Sequence, residues 1–179
     1  MKLGLIGLGR MGANMARRLR RGGIEVVAYN RNPEVTRALA AETGLTAVES
    51  LPELVAALAP PRSVWLMLPA GDITDAHLEQ LQPLLARADL VVDGANSWYK
   101  DSLRRAARLA AVGIDFADAG VSGGVWGLDN GYALMLGGSA AALARLKPAI
   151  QVLAPGAERG WLHCGPVGSG HFVKMVHNG

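Results

Sequence analysis

Three polar side chains near the end of the chain have the spacing of one helix face. Lys174, His177 and Asn178 occupy positions i, i+3 and i+4, which are neighbours on an α-helix. A lysine in a water-poor cleft can have a lowered pKa and act as a general base. His177 and Asn178 could hold substrate hydroxyls beside it. Taken alone, such a face is more often merely solvated, so other signals have to decide.

A glycine-rich turn near the start of the chain has the spacing that binds a dinucleotide. It follows an apolar run and opens a helical pattern, which is the context that gives a GxGxxG motif meaning. Gly7 permits the tight turn, Gly9 lets a pyrophosphate approach the backbone, and Gly12 lets helix and strand pack closely. The helix N-terminus supplies free amides and partial positive charge for the phosphates. The expected cofactor-binding segment is Gly7, Leu8, Gly9, Arg10, Met11 and Gly12.

The end of the second predicted strand selects between the two nicotinamide dinucleotides. An acidic residue there would bind the ribose 2′-hydroxyl of NAD and repel a 2′-phosphate. This chain has Asn30 and Arg31 instead, and an arginine can pair with a phosphate. We therefore expect NADP as the favoured cofactor, with NAD possible if Arg31 is only a surface residue.

Two further polar segments follow predicted strands. Ligands of doubly wound sheets bind at the carboxyl ends of the strands. Asn96, after the fifth strand, could hold a sugar hydroxyl or the nicotinamide ribose, or could cap the next helix. Ser122, Gly123 and Gly124, after the sixth, could offer a hydroxyl and open amides to a carboxylate or a hydroxyl-rich substrate, or could form a flexible turn.

Apolar runs alternate with helical patterns along the whole chain. Because continuous apolar strands are buried on both faces and alternate with helices, the fold class is α/β, a Rossmann-type doubly wound and mostly parallel sheet. Strands are predicted at 3–8, 24–29, 46–48, 63–68, 90–93, 114–117, 133–136 and 161–163. Helices are predicted at 13–21, 34–42, 50–58, 72–86, 97–112 and 140–153. Residues 1–165 form the expected dinucleotide-binding domain, and 166–179 begin a further helix whose abrupt end suggests that the natural chain continues.

Composition and charge exclude several other classes of protein. Half of the 179 residues are apolar, which is enough for a sizeable core. The net charge of +3 owes much to Arg17, Arg18, Arg20 and Arg21 at the end of the first helix, a position that suits cations on a solvated helix end. No aromatic residues interleave them, so we expect no nucleic-acid partner. No apolar run approaches a membrane span, and the single cysteine, interpreted as a buried structural thiol, fits a reducing cytoplasm.

Five segments together closely resemble the decarboxylating 6-phosphogluconate dehydrogenases. They run from residue 7 to residue 179, and the ordered set is far more specific than any one piece. The longer stretch GVSGGVWGLDNGYALMLGG is similar to the shorter, bacterial-type branch of that family. The matching segments are GLGRMGANMARRL, YNRN, VDGANS, GVSGGVWG and GHFVKMVHNG.

The resemblance implies a reaction and a role for each matching residue. The reaction would be the NAD(P)-dependent oxidative decarboxylation of 6-phosphogluconate to ribulose 5-phosphate and CO2, in the pentose phosphate pathway. Lys174 would be the general base, and no metal is needed because the β-keto group is the electron sink. Leu68, Pro69 and Ala70 would line the cofactor site after the fourth strand. The substrate contacts would be Asn96, Ser122, Gly123, Gly124, His177 and Asn178.

The chain also departs from the family pattern. The family has a glutamate four residues after the histidine and a second, helical domain, and both lie beyond Gly179. We therefore expect a homodimer or higher oligomer when full length, and no activity from this chain alone. Asn32 stands where many NADP-using members have threonine. Two alternatives remain: a β-hydroxyacid dehydrogenase of the 3-hydroxyisobutyrate type, which usually has asparagine in place of His177, and a non-catalytic dinucleotide-binding module.

Overall fold

The computed structural model describes all 179 residues, which form eight strands and eight helices. In chain order they are β1 Lys2–Ile6, α1 Arg10–Arg21, β2 Glu25–Tyr29, α2 Pro33–Thr43, β3 Thr46–Val48, α3 Leu51–Ala56, β4 Ser63–Leu66, α4 Asp72–Leu81, β5 Leu90–Asp93, α5 Tyr99–Ala110, β6 Asp115–Ser122, α6 Gly127–Asn130, β7 Ala133–Gly137, α7 Ala140–Leu153, β8 Trp161–Gly165 and α8 Ser169–Asn178. The division of the chain at residue 165 stays a prediction.

The eight strands form one sheet in the order β3-β2-β1-β4-β5-β6-β7-β8. Every neighbouring pair is parallel except β6 and β7, which are antiparallel. This confirms the predicted α/β, mostly parallel and doubly wound fold. The strand order reverses between β1 and β4, so the two crossovers diverge there and leave a crevice at the carboxyl edge of the sheet.

Successive strand residues enter separate cores on the two faces of the sheet. Leu3 and Leu5 of β1 pack into one apolar cluster with α1 and α7, whereas Ile6 packs into the other with α3 and α4. All four residues of β4 and of β5 are buried. A strand covered on both faces has no polar positions to alternate with, which explains why these strands read as continuous apolar runs.

Several helix ends follow their local signals. Ser50 caps α3 by accepting from the Glu53 amide at 3.2 Å, and Glu53 accepts in return from the Glu49 amide at 2.9 Å. This reciprocal arrangement resembles a capping box, although the glutamate reaches one residue further back than in the standard form. Asn32 caps α2 through the Glu34 amide, 3.0 Å away. Its cap role accounts for this asparagine without any contact to a cofactor.

Several predicted boundaries are wrong. Strands β1 and β4 end at Ile6 and Leu66, each two residues before its predicted end, and helix α4 ends at Leu81 rather than at 86. The sixth strand was expected to end at 117, but β6 continues to Ser122 because its second half pairs antiparallel with β7, from Asp118 opposite Gly137 to Ser122 opposite Ala133. Helix α5 starts at Tyr99 rather than at 97.

Two interpretations of side chains, those of Arg18 and Cys164, also need correction. Arg18 is not a solvated helix end, because its guanidinium donates to carbonyls near the ends of α6 and α7, including Ala154 O at 2.8 Å. Cys164 is only half-buried, although burial does raise the pKa of its thiol. Tyr132 lies in the core, whereas Trp126 is exposed. None of the helices combines the length and apolar character needed to cross a membrane.

Candidate functional site

The turn between β1 and α1 has the geometry of a phosphate cradle. Gly7 has φ +94, and a β-carbon there would collide with the Met67 carbonyl, so only glycine fits. A β-carbon on Gly12 would collide with the Gly7 carbonyl, whereas one on Gly9 would meet nothing within 4 Å. Space is therefore left open above Gly9, where a ligand would have to approach.

The first amides of α1 are free to receive an anion. Gly9 caps this helix without any side-chain hydrogen bond, and the first turn contains no acidic residue. Such uncapped amides and the positive end of the helix dipole attract phosphate. The flanking side chains differ: Arg10 is exposed, Leu8 is buried and Met11 packs half-buried against the core. The residues present thus fit the pyrophosphate of a dinucleotide.

The end of β2 borders a cavity of about 430 Å³ together with this turn. Asn30 braces the turn, since its Oδ1 accepts from the Leu8 amide at 3.0 Å and its Nδ2 donates to the Asn32 carbonyl at 3.3 Å. Arg31 is exposed and forms no ion pair or side-chain hydrogen bond, so its guanidinium is available to a ligand. Leu68 and Pro69 line the opposite wall, while Ala70 is exposed just beyond them.

Asn96 links the turn after β5 to the end of β6. Its Oδ1 accepts from the Val121 amide at 2.9 Å and its Nδ2 donates to the Val121 carbonyl at 3.2 Å. The residue has φ 52 and does not cap α5, so the capping alternative is wrong. One N–H and one lone pair of the carboxamide remain for a ligand.

Ser122, Gly123 and Gly124 lie beside this link. Ser122 is the last residue of β6 rather than part of a flexible turn, so its backbone is held by pairing with Ala133. Gly123 and Gly124 then begin a short 3₁₀ turn, and Gly124 has φ +50. The serine hydroxyl is thus presented from a rigid strand end, one residue after the backbone that Asn96 holds.

Helix α8 is anchored to the sheet by a buried aspartate on β6. Asp118 Oδ1 accepts from the Gly168 amide at 2.6 Å, and its Oδ2 accepts from the His171 amide at 2.8 Å. Close approach is possible because a β-carbon on Gly120 would lie 2.5 Å from Lys174 Cβ. The carboxylate caps the helix N-terminus from another element and so determines where the helix starts.

His171, one turn before Lys174, ties the same helix to α5. Its Nε2 lies 3.2 Å from the Ala119 carbonyl, which can only accept, so Nε2 carries the proton. Its Nδ1 then accepts from Ser102 Oγ at 2.7 Å. This buried histidine is a satisfied structural group and not a ligand for substrate.

Lys174, His177 and Asn178 converge as their spacing predicts. Lys174 is 7% exposed, and its Nζ donates to Asn178 Oδ1 at 3.2 Å. His177 Nδ1 lies 3.4 Å from the same oxygen. Burial lowers the pKa of Lys174. The solvated alternative is wrong for Lys174, because the packing of α8 on β6 and β7 already covers it.

Sequence reasoning missed the buried polar residues that hold these segments in place. Asp118 had a signal, since a charged residue interrupts an otherwise apolar strand, and such a residue needs a partner. Arg105 had none, because it is one of several arginines on α5. Ser102 and His171 are equally ordinary in the sequence, and only the packing of α5 against α8 brings them together.

Comparison with known proteins places the chain among dehydrogenases. Residues 2–165 match the family model described as "NAD binding domain of 6-phosphogluconate dehydrogenase". The whole chain is 45% identical over 179 residues to the NAD(+)-dependent, decarboxylating 6-phosphogluconate dehydrogenase of Haloferax volcanii, and it spans 58% of that protein.

Solved structures agree. A 6-phosphogluconate dehydrogenase of Plasmodium falciparum, described with NADP+ and with 6-phosphogluconate, matches with a TM-score of 0.91 and 31% identity, over 99% of this chain and 40% of that one. A 3-hydroxyisobutyrate dehydrogenase of Mycobacterium tuberculosis matches with a TM-score of 0.88 and 30% identity, over 99% of this chain and 58% of that one. The chain belongs to the family of NAD-binding domains of 6-phosphogluconate dehydrogenase.

Proposed function

We propose that the chain is the nucleotide-binding part of an enzyme that oxidatively decarboxylates 6-phosphogluconate to ribulose 5-phosphate and CO2. The observation that carries this proposal is the buried Lys174 at the carboxyl edge of the sheet, with a lowered pKa and with Asn178 at its Nζ. A neutral amine in this place can accept a proton from a substrate hydroxyl. The names of the relatives in Haloferax volcanii and Plasmodium falciparum support the same reaction.

In the proposed reaction Lys174 first accepts a proton from the substrate and then returns it. When bound, the nicotinamide accepts the hydride that leaves C3 of the substrate. Lys174 Nζ takes the proton of the 3-hydroxyl in the same step, which yields a 3-keto acid and a charged lysine. The charged lysine then donates to the keto oxygen while the C1–C2 bond breaks and CO2 leaves. The electron pair of that bond forms the C2–C3 double bond of an enediol, whose oxygen keeps the lysine proton, so the step requires no metal ion. Addition of a proton to C2 and loss of the enol proton then give ribulose 5-phosphate.

We propose that three segments hold the substrate together with Lys174. Ser122 can donate to or accept from a hydroxyl, and Gly123 and Gly124 expose backbone amides beside it. Asn96 keeps one donor and one acceptor free beside Val121. His177 and Asn178 are exposed on the face of α8 next to Lys174, where they can bind further hydroxyls.

We propose NADP as the preferred cofactor, because Arg31 borders the cavity with no competing partner and no carboxylate adjoins it. The relative in Haloferax volcanii is named as NAD(+)-dependent, so the preference needs a direct test.

Arg31→Ala should weaken NADP binding about tenfold and leave NAD binding nearly unchanged, since only NADP has the 2′-phosphate. Arg87→Ala, at the amino end of β5, is the matched control. Equal affinity of the parent chain for both dinucleotides would show that Arg31 is only a surface residue.

The test of the reaction is a substrate panel on the full-length protein. The compounds are 6-phosphogluconate, gluconate and 3-hydroxyisobutyrate, each with NADP and with NAD, and the readouts are reduced cofactor and released CO2. We expect turnover and CO2 with 6-phosphogluconate only. Turnover of 3-hydroxyisobutyrate without CO2 would support the second candidate, a β-hydroxyacid dehydrogenase. The match to the 3-hydroxyisobutyrate dehydrogenase of Mycobacterium tuberculosis is the observation that favours this candidate.

A further inference from the structure

Arg105 on α5 is a charged residue in the interior that joins segments from three parts of the chain. Its side chain is 2% exposed. Its Nε donates to Asp75 Oδ1 at 2.8 Å and its Nη2 to the Gly71 carbonyl at 3.2 Å. Its Nη1 donates to Asp93 Oδ2 and to Ser97 Oγ, both at 2.9 Å. Every nitrogen of the guanidinium therefore has a partner.

These partners belong to the two turns that form the carboxyl edge of the candidate site. Gly71 closes the turn after β4, which begins with the cavity-lining Leu68 and Pro69. Asp93 ends β5, and its Oδ1 accepts from the Ala95 amide at 2.9 Å, so the turn leading to Asn96 winds around this carboxylate. A single guanidinium thus fixes the turn at the cavity relative to the turn that holds Asn96.

Stability alone is a weak reason for such a group. A buried ion pair loses much of its attraction to the cost of removing both charges from water, and an apolar replacement is often as stable. The planar guanidinium offers something else, because its fork holds several acceptors in one fixed arrangement. A lysine would keep the charge but could not reach the partners on both turns.

We propose that Arg105 is a positioning residue for dinucleotide binding, which it supports by holding the turn after β4 against the turn after β5. It does not touch the cofactor, and it acts through Gly71, Asp93 and Ser97. The inference rests on the proposed binding of a dinucleotide at this edge of the sheet. It adds a determinant of affinity that lies outside the glycine-rich turn.

The same two strands supply a matched control at their other ends. Arg62, just before β4, pairs with the buried Asp89, just before β5, with Nη1 3.0 Å from Oδ2. Arg62→Lys and Arg105→Lys therefore make the same chemical change in two arginine–aspartate pairs whose aspartate is buried. Only the second pair adjoins the candidate site.

The experiment measures the dissociation constants of NADP and NAD by calorimetric titration on the 179-residue chain and both variants. Thermal unfolding of each sample identifies a temperature at which all are folded. We expect Arg105→Lys to raise the dissociation constants of both dinucleotides about tenfold, and Arg62→Lys to leave them within about twofold of the parent. Both variants should unfold at lower temperature, because each loses part of a buried network.

Unchanged affinity in Arg105→Lys, or an equal loss in Arg62→Lys, would overturn the inference, since the effect would then be absent or merely due to stability. If Arg105→Lys does not fold, Ser97→Ala removes only the two bonds of the serine hydroxyl, from Arg105 Nη1 and to Asp93 Oδ2. This smaller change should still weaken binding about threefold, and no weakening would count against the inference. A parent chain that binds neither dinucleotide would contradict the proposed function instead. The two failures are therefore distinguishable.

Discussion

The spacing of Lys174 in the sequence identifies it as a candidate site residue but does not predict its burial. The i, i+3 and i+4 pattern predicts which side chains share its helix face, because that depends only on helix geometry. Its burial depends on β6 and β7, which approach α8 closely at Gly120. The sequence does not show which strand a helix will cover, so the lowered pKa could not be predicted from it.

At the level of this residue, we expect Lys174→Met to reduce turnover of the full-length enzyme by a factor of about 100 to 10,000, the usual effect of losing an acid–base group. Dinucleotide binding should barely change, because the amine lies at the substrate side. Lys147→Met, on the exposed face of α7, is the control. Near-normal turnover in Lys174→Met would remove the lysine from the mechanism.

The buried amine should also make stability depend on pH. Burial lowers the pKa of Lys174 from its ordinary value of 10.5 in the folded chain only, so in the window between the two values the unfolded chain binds more protons. The free energy of unfolding must then rise with pH across that window. Each tenfold reduction in proton affinity adds about 1.4 kcal/mol to that rise. Denaturant titrations between pH 7 and 10 should show this rise relative to Lys174→Met, and parallel curves would contradict it.

We expect a charge at position 30 to change which dinucleotide the candidate site prefers. In Asn30→Asp the carboxylate can still accept from the Leu8 amide, but it loses the bond that Nδ2 donates to the Asn32 carbonyl. The bond to Leu8, the shorter of the two, should still hold the turn. The new negative charge should repel a 2′-phosphate and shift the ratio of NADP to NAD affinity toward NAD by at least about tenfold. Asn130→Asp, at the end of α6, adds the same charge elsewhere. A shift of equal size in that control would indicate a general charge effect.

At the scale of elements, the ends that carry local signals were predicted best. Helix α7 has both of its predicted ends, and Ser139 caps it through the Ala142 amide. Strand β6 was predicted too short because its second half is defined by pairing with β7, a contact that no local pattern encodes. Helix α5 starts late because Ser97 Oγ donates to Asp93 instead of capping the helix.

The anchoring of α8 by Asp118 gives a prediction at this scale. Asp118→Asn leaves one acceptor for two amides and directs an NH2 group at the other, which should cost about 1–3 kcal/mol of stability. The start of α8 should shift, and turnover of the full-length enzyme should fall about tenfold or more because Lys174 moves with its helix. Asp89→Asn breaks a comparable buried set at the opposite edge of the sheet. Stability should fall in both variants, and an equal loss of turnover in both would contradict a positioning role.

At the scale of the whole molecule, the sheet is complete but the site is open on one side. The alternation of strands with helices and the glycine-rich turn were predictable, because each follows from apolar runs and turn chemistry, whereas the strand order was not. In contrast, α8 exposes three large apolar side chains beside Lys174: Phe172 at 46%, Met175 at 46% and Val176 at 62%. The substrate-side residues His177 and Asn178 are exposed as well. Residues of this chain therefore line the proposed dinucleotide site, whereas the proposed substrate site is open to solvent.

We accordingly expect the 179-residue chain to bind NADP without turning over 6-phosphogluconate. Binding needs the turn at Gly7–Gly12, Arg31 and the cavity wall at Leu68 and Pro69, and all of these are in place. Catalysis needs a closed, water-poor cleft that holds the substrate in a reactive orientation. Lys174 is already buried in this chain, so the obstacle to catalysis is the open substrate side. Calorimetric titration with NADP and a turnover assay on the same sample test both halves. Robust oxidation of 6-phosphogluconate by this chain would show that Lys174 and its immediate neighbours suffice.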